Sequence, residues 1–439
     1  MEFNKERGSY TNSENVIKFL FFSAVGIFMF FIPINIKGES TIPIDHIVNF
    51  IRNTSPGLAN IYGFLVIILG GVYPFFKKTW NKDSVTIVFS ILKLLGIIIG
   101  FMAFLNKGPA WMFEKDMIPF LYDKLVISVG IIVPIGSAFL AFLVGYGLME
   151  FVGVIMQPVM EPIWKTPGRS AIDAVASFVG SYSLALLITN RVYKEGKYTT
   201  KEACIIATGF STVSATFMII ICNTLDIMYL WNKYFWTTLL VTFLVTAITA
   251  RIRPLRIKSE EYRLNVTSDP EPKLKGNRLK NAWNEGMKSA DKAPSLGKNI
   301  LDNLKDGFVM AMGILPSIMS VGLIGITLAK YTPIFDIIGY IFYPFTFLFK
   351  IPEPLLAAKA CSVEIAEMFL PSLLVVNSPI ITKFVVAVVS VSSILFFSAS
   401  IPCILSTEIP ISLTEIVLIW IERTILTIIL TAPIAYMIL

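Results

Sequence analysis

The feature that most constrains this chain is a series of apolar runs, each about as long as a bilayer is thick. A helix crosses a membrane with about 20 mostly apolar residues. Runs that meet or approach that length stand at 16–36, 57–76, 84–105, 125–149, 203–222, 235–250, 308–328, 384–405 and 413–439. Composition agrees. Of 439 residues 55% are hydrophobic and only 15% charged, and the mean hydropathy is +0.72, whereas soluble domains carry about 25% charged residues. So little charge cannot cover the surface of a soluble fold this large, so lipid is the solvent for most of the chain. The expected fold is an all-α polytopic membrane protein with about nine spanning helices. The run at 16–36 is too long for a signal-peptide core and lacks a small-residue cleavage site, so it reads as a retained span.

Two further stretches, 167–193 and 352–379, are apolar but carry Gly, Ser or charge near their centres. Each is expected to be a re-entrant helical hairpin, since broken backbone at membrane depth survives only when packed in protein or lining a wet cavity. Orientation supports this. Lys77, Lys78 and Lys82 place the connection after the second run in the cytoplasm by the positive-inside bias, which puts the amino terminus inside as well. Lys165, Arg169, Arg191, Lys194, Lys197 and Lys201 then all fall inside only if 167–193 enters and leaves on the same face.

The formal net charge of +7 does not indicate a nucleic-acid partner. Thirteen Lys or Arg and seven Asp or Glu fall between Arg251 and Lys305, in one connecting segment, as expected of a cytoplasmic loop. The four cysteines lie in or beside apolar stretches and read as buried small hydrophobes, and His46 is the one histidine. No zinc, haem or other cofactor is expected, and no phosphate-binding GxxxxGK[S/T] is present. No nucleophile–base pair is visible, so the chain is not expected to be an enzyme.

The chain also repeats itself. Val133-Pro134 is echoed by Leu315-Pro316, Gln157-Pro158 by Tyr343-Pro344, Thr166-Pro167 by Ile351-Pro352, Ser177 by Ser362 and Thr200-Lys201 by Thr382-Lys383; the offsets run from 182 to 186. Counting crossings, the first unit starts outside and the second inside, so they are inverted repeats. The expected division is a tail at 1–15, a peripheral three-helix region at 16–124, a first repeat at 125–250, a basic linker at 251–305 and a second repeat at 306–439. In such folds the solute site lies near the midplane, where broken helices expose unpaired backbone groups.

The stretch Phe178-Val179-Gly180-Ser181-Tyr182-Ser183, the turn Tyr198-Thr199-Thr200-Lys201-Glu202 and the run Gly209-Phe210-Ser211-Thr212-Val213-Ser214 together resemble the gate domain of the nucleoside-recognition membrane proteins, in their YjiH-like branch. More distantly the chain resembles the concentrative nucleoside transporters. The resemblance covers roughly residues 125–439 and implies three peripheral helices and two opposed hairpins whose tips form the site. It places the first tip at Gly180–Ser183. The nucleoside transporters carry a Gln and a Glu there after the Gly. Here Ser181 and Ser183 stand in those places, so the resemblance does not carry a nucleoside over as substrate. It also implies that the spans after each hairpin unwind near the midplane and line the cavity; Ser211 and Ser393 are the equivalent hydroxyls.

Glu364 and Glu367 are the sharpest candidates. Three apart, they share a helical face and fall, by the repeat offset, opposite Val179 and Tyr182. Carboxylates at bilayer depth are costly and point to a proton, sodium or cationic-solute site; at a tip that reached the surface they would simply be hydrated. Asp173, with Arg169 four residues earlier, reads equally as a local ion pair or as part of the site. Lys359 reads as a structural partner, Lys93 as facing other protein, and Glu422-Arg423 as neutralising each other or facing the core.

The leading expectation is thus a secondary transporter of a small polar solute, working by alternating access in the cytoplasmic membrane, with a proton or sodium as coupling ion. The alternative is a non-transporting gate-domain scaffold or sporulation-type assembly factor. Beyond solute, ion and membrane lipid, association into a homo-oligomer stays open.

Overall fold

The computed structural model describes residues 12–32, 34–36, 39–81, 84–179, 182–213, 215–263, 266–272 and 276–439. The chain is an all-α polytopic membrane protein. Among the described residues, five helices are long and apolar enough to cross a membrane, at 13–30, 56–76, 86–105, 120–144 and 296–331. The one sheet among them is a short antiparallel pair, Ile34–Ile36 with Glu39–Thr41.

The peripheral region opens with Ser13–Phe31, started by the Asn12 side chain, which accepts from the Asn15 backbone N–H. A short helix, Pro43–Thr54, buries Pro43, Ile44 and Val48 along one side. The helices Pro56–Phe76 and Ser84–Leu105 follow, and both lean on the core at glycines. A Cβ on Gly70 would lie 1.9 Å from the Met312 carbonyl oxygen, and one on Gly96 would lie 2.0 Å from that of Pro316. Only glycine lets the backbones approach this closely, which is how apolar helices gain contact where no hydrophobic effect drives them together.

The centre is a pair of helices, one from each repeat. Ile127–Val144 packs along Leu296–Ser317 over much of its length. Both carry the repeated proline inside the helix, Pro134 and Pro316. Each adjoins a wider π-helical turn, Phe120–Val126 in one and Ile318–Gly322 in the other, and the two turns pack together.

Both interrupted stretches are hairpins. Ala171–Val179 packs against Tyr182–Lys194, and Pro354–Val363 against Leu370–Leu374. The runs at 203–222 and 384–405, continuous by hydropathy, are each broken, as the family resemblance implies. Thr200–Gly209 stops and the chain resumes as Ala215–Thr224; Ile380–Ser392 stops and resumes as Ser400–Leu405. Hydropathy does not register these breaks because the hydroxyl-bearing residues within them sit inside apolar runs, yet hydroxyls offer backbone groups partners other than the helix ladder. The closing helices, Trp231–Thr249 and Leu413–Ile438, pack on each other and on Ile380–Ser392.

The basic linker is folded rather than loose. Its helix Arg278–Asp291 packs on Leu148–Trp164 and on Ser13–Phe31. Its earlier part runs beside the first repeat: Thr200 N–H donates to Glu261 O, Lys201 N–H to Ser259 O and Asp269 N–H to Gly196 O.

Candidate solute and ion site

The second hairpin turns at Glu364–Phe369, and the broken span behind it closes over that turn. Phe397 N–H donates to Ile365 O at 2.6 Å and Ser398 N–H to Ala366 O at 2.9 Å. Within the break Ile394 takes a left-handed conformation, φ +69°. Ser400 Oγ donates to Ile394 O and accepts from Phe396 N–H, supplying partners that the helix no longer offers. In the first repeat Ser177 Oγ donates to Thr212 O across the equivalent break.

Both acidic candidates are buried at this turn, Glu364 at 0% and Glu367 at 2% exposure, which excludes the hydrated-surface alternative. Their surroundings differ. Glu367 Oε2 accepts from the backbone N–H groups of Phe369 and Leu370 at 2.6 and 3.1 Å, capping the short helix that follows. Glu364 Oε2 accepts from Trp420 Nε1 at 2.5 Å, while its Oε1 is buried with no hydrogen-bond partner among the described residues. The Trp420 indole stands edge-on to Phe342, with centroids 5.3 Å apart. Tyr182, at the first hairpin, stands edge-on to Phe396 in the second break, and Glu367 lies within electrostatic reach of its hydroxyl. The two hairpin ends and the second break therefore meet at one place.

Arg423 completes the cluster. It is fully buried; Nε and Nη2 donate to Ser392 O at 3.0 and 2.7 Å, and Nη1 donates to Thr246 Oγ1 at 3.0 Å. Thr246 Oγ1 in turn donates to Gly209 O at 2.8 Å. Gly209 and Ser392 are the last residues before the two breaks and stand 183 positions apart. Each repeat thus caps its broken helix with a side chain from its own closing helix, and Arg423 ties the two caps together. A cation at a helix carboxyl end is favoured by the exposed carbonyls there. Arg423 lies within electrostatic reach of Glu364 without a direct ion pair among the described residues.

Residues 126–228 match the Gate family, described as nucleoside recognition. The chain is also similar to an uncharacterized protein of Alkalihalophilus pseudofirmus, 30% identical over 451 aligned positions that span 96% of this chain and 94% of the relative. The chain belongs to the Gate family. No solved structure matches it.

In this Gate protein the expected site residues are partly assembled. Gly180 and Ser181 lie outside the described residues. Ser183 is buried in the second arm of the first hairpin. Ser211 is buried in the first break with its Oγ unpartnered, whereas Ser393 Oγ shares a hydrogen bond with Thr424 Oγ1 at 3.1 Å. The equivalent hydroxyls are thus in different environments. Asp173 does not pair with Arg169: it is buried and accepts from Thr189 Oγ1 at 2.6 Å and Tyr198 OH at 2.7 Å. Arg169 faces Glu271 of the linker, whose carboxylate also accepts from the Gly168 and Arg169 backbone N–H groups. Lys359 pairs with Asp336 at 2.8 Å, as its structural reading predicts. Glu422 forms no ion pair with Arg423 among the described residues; neighbours in a helix point different ways, so Arg423 is fully buried while Glu422 is half-buried, with one oxygen shut off from solvent and without a partner among the described residues. Trp420 was missed. Its spacing of three from Arg423 was the available signal, since both then share the inner face of the closing helix.

Proposed function

We propose that this Gate protein is a secondary transporter of a small polar solute, working by alternating access, with Glu364 and Glu367 carrying a coupling proton or sodium ion. The observation that supports this most is the Glu364 carboxylate: at the meeting point of the hairpin ends, one oxygen is held by an indole N–H and the other is buried with no partner among the described residues. Buried polar atoms find a partner in most proteins; Glu150, paired with Lys197, and half-buried Glu422 also keep one open oxygen, and of the three it is Glu364 that stands at the hairpin turn. One left open is placed to take a cation or proton and to release it when the surroundings change. The proposal includes two inverted repeats as the moving parts, the basic linker and amino terminus in the cytoplasm, and the cytoplasmic membrane as location.

The test begins with a stabilisation screen of purified protein over nucleosides, amino acids, dipeptides and polyamines. A solute that binds the folded protein raises the melting temperature, by an amount that grows with the logarithm of its concentration above Kd. Uptake of the stabilising solute into proteoliposomes is then measured with and without a pH or sodium gradient. Glu364→Gln keeps size and hydrogen bonding and removes the charge. We expect it to abolish gradient-driven uptake while melting stays near wild type. If Glu364→Gln, Glu367→Gln and the double variant all transport at the wild-type rate with unchanged ion dependence, the coupling assignment fails. If no solute stabilises or moves at all, the scaffold reading takes its place.

A further inference from the structure

A cavity of about 550 Å3 lies between the peripheral helix Ser84–Leu105, the bend after Leu296–Ser317 and the start of Leu413–Ile438, on residues distinct from those of the hairpin turns. Its wall carries the side chains of Thr86, Ser90, Lys93, Ser317, Ser406 and Ser412 together with apolar groups such as Phe89 and Leu405. Lys93 is the one charged residue on that wall among the described residues. It makes no ion pair or hydrogen bond with any of them.

Lys93 stands nine residues into its helix, about 13 Å along the axis at 1.5 Å per residue. An ammonium at that depth is costly unless it reaches water or meets an opposite charge. Among the described residues none brings a carboxylate to the cavity. Gly96, just past Lys93, is pressed against the Pro316 carbonyl, which sets the helix close against this wall. A lone cation beside the Ser90 and Ser317 hydroxyls calls for an anion to match it, and the apolar remainder of the wall calls for one with an apolar body. The cavity lies on the same side of the membrane as the basic linker, because Glu415, three residues beyond Ser412, pairs with Lys258 of that linker at 2.8 Å.

We propose that this cavity binds a phosphate ester, the headgroup of an anionic phospholipid from the adjoining leaflet, with Lys93 as counter-charge and the Ser90 and Ser317 hydroxyls as donors to the phosphate oxygens. Basic pockets between spanning helices hold phospholipid headgroups by this combination of charge and hydrogen bonding.

The test compares melting of the purified protein in neutral detergent with added phosphatidylglycerol, with sn-glycerol 3-phosphate at equal phosphate, and with phosphatidylcholine. Wild type is expected to gain roughly 3 °C or more with phosphatidylglycerol. Lys93→Met, an apolar replacement that suits a spanning helix, should lose that gain, and Lys93→Arg should keep it. Native mass spectrometry should show one fewer retained phosphatidylglycerol on Lys93→Met. An equal, Lys93-dependent gain with sn-glycerol 3-phosphate would support the phosphate site and assign it to a soluble ester. The proposal is overturned if Lys93→Met responds to phosphatidylglycerol as wild type does, or if neither phosphate ester shifts wild type.

Discussion

Arg423 shows how one side chain can hold two halves of a molecule in register. Its donors end one broken helix directly and the other through Thr246, and it offsets the nearby Glu364 charge. Removing it leaves the Ser392 carbonyl and Glu364 buried without these partners. Breaking one side of a buried charge arrangement costs about 3–5 kcal/mol, so Arg423→Met should melt well below wild type. Adding Glu364→Gln to it should recover part of the loss, a non-additivity of about 0.5–3 kcal/mol readable from a double-mutant cycle of melting free energies. Full additivity would show that the two charges do not communicate. The acidic pair was legible in the sequence because a carboxylate in an apolar run is costly and asks for a reason, and its burial rules out the hydrated tip weighed against it. Arg423 was only half legible: beside Glu422 it looks neutralised locally, and only the helix geometry shows that the two point apart.

At the scale of elements, the spans and the hairpins were readable from hydropathy and from the parity of charges, and the breaks at 210–213 and 393–399 were implied only by the family resemblance. A helix and an extended crossing of Ser, Thr, Val and Phe have the same hydropathy; what separates them is where the backbone finds partners, and those partners come from residues far off in sequence, such as Thr246 and Ile365. The docking of the peripheral helices was not legible either, because a glycine in an apolar run says nothing about which backbone it faces. Gly96→Ala would place a methyl 2.0 Å from the Pro316 oxygen. Overpacking of this kind costs about 1–3 kcal/mol, and a melting curve of that variant should shift downward accordingly. The linker contributes a pH-dependent contact. Burial pushes the Glu271 carboxyl above the ordinary carboxylate range against the opposing pull of Arg169 and the two backbone N–H groups. The folded state therefore holds this proton more tightly than the unfolded state, and the stability linked to it falls as pH rises through that window. Glu271→Gln should flatten this part of the melting-temperature profile; an unchanged profile would place the dependence elsewhere.

For the whole molecule, the proposed opposition of the two repeats makes a definite demand on sidedness. Cysteines introduced within 255–300, and Lys197→Cys beside the first hairpin, should react with an impermeant thiol reagent only after the inner face is opened. Lys197 ties to Glu150 and Glu195 beside the linker, so both probes report the same surface. Labelling of Lys197→Cys from outside would mean that the first hairpin crosses the membrane, and the repeats could then not be opposed. The linker itself reads in sequence as a charged connection, yet it lies packed along the first repeat, because Glu271, Asp269 and Glu261 supply the partners that the repeat's backbone and Arg169 require.

The buried guanidinium also sets the electrical character of any cycle. Glu364, Glu367 and Arg423 together carry a formal charge of minus one, so a single monovalent cation would render the cluster neutral and an empty cluster would return with one negative charge. Displacing one elementary charge through the full field is worth about 2.3 kcal/mol per 100 mV. The empty return, rather than the loaded crossing, would then feel the membrane voltage. Exchange between equal solute and ion on both sides, which never uses the empty form, should be nearly voltage-independent, while net uptake should quicken as the interior becomes more negative. Replacing Arg423 with a neutral residue would double the empty charge and steepen that dependence.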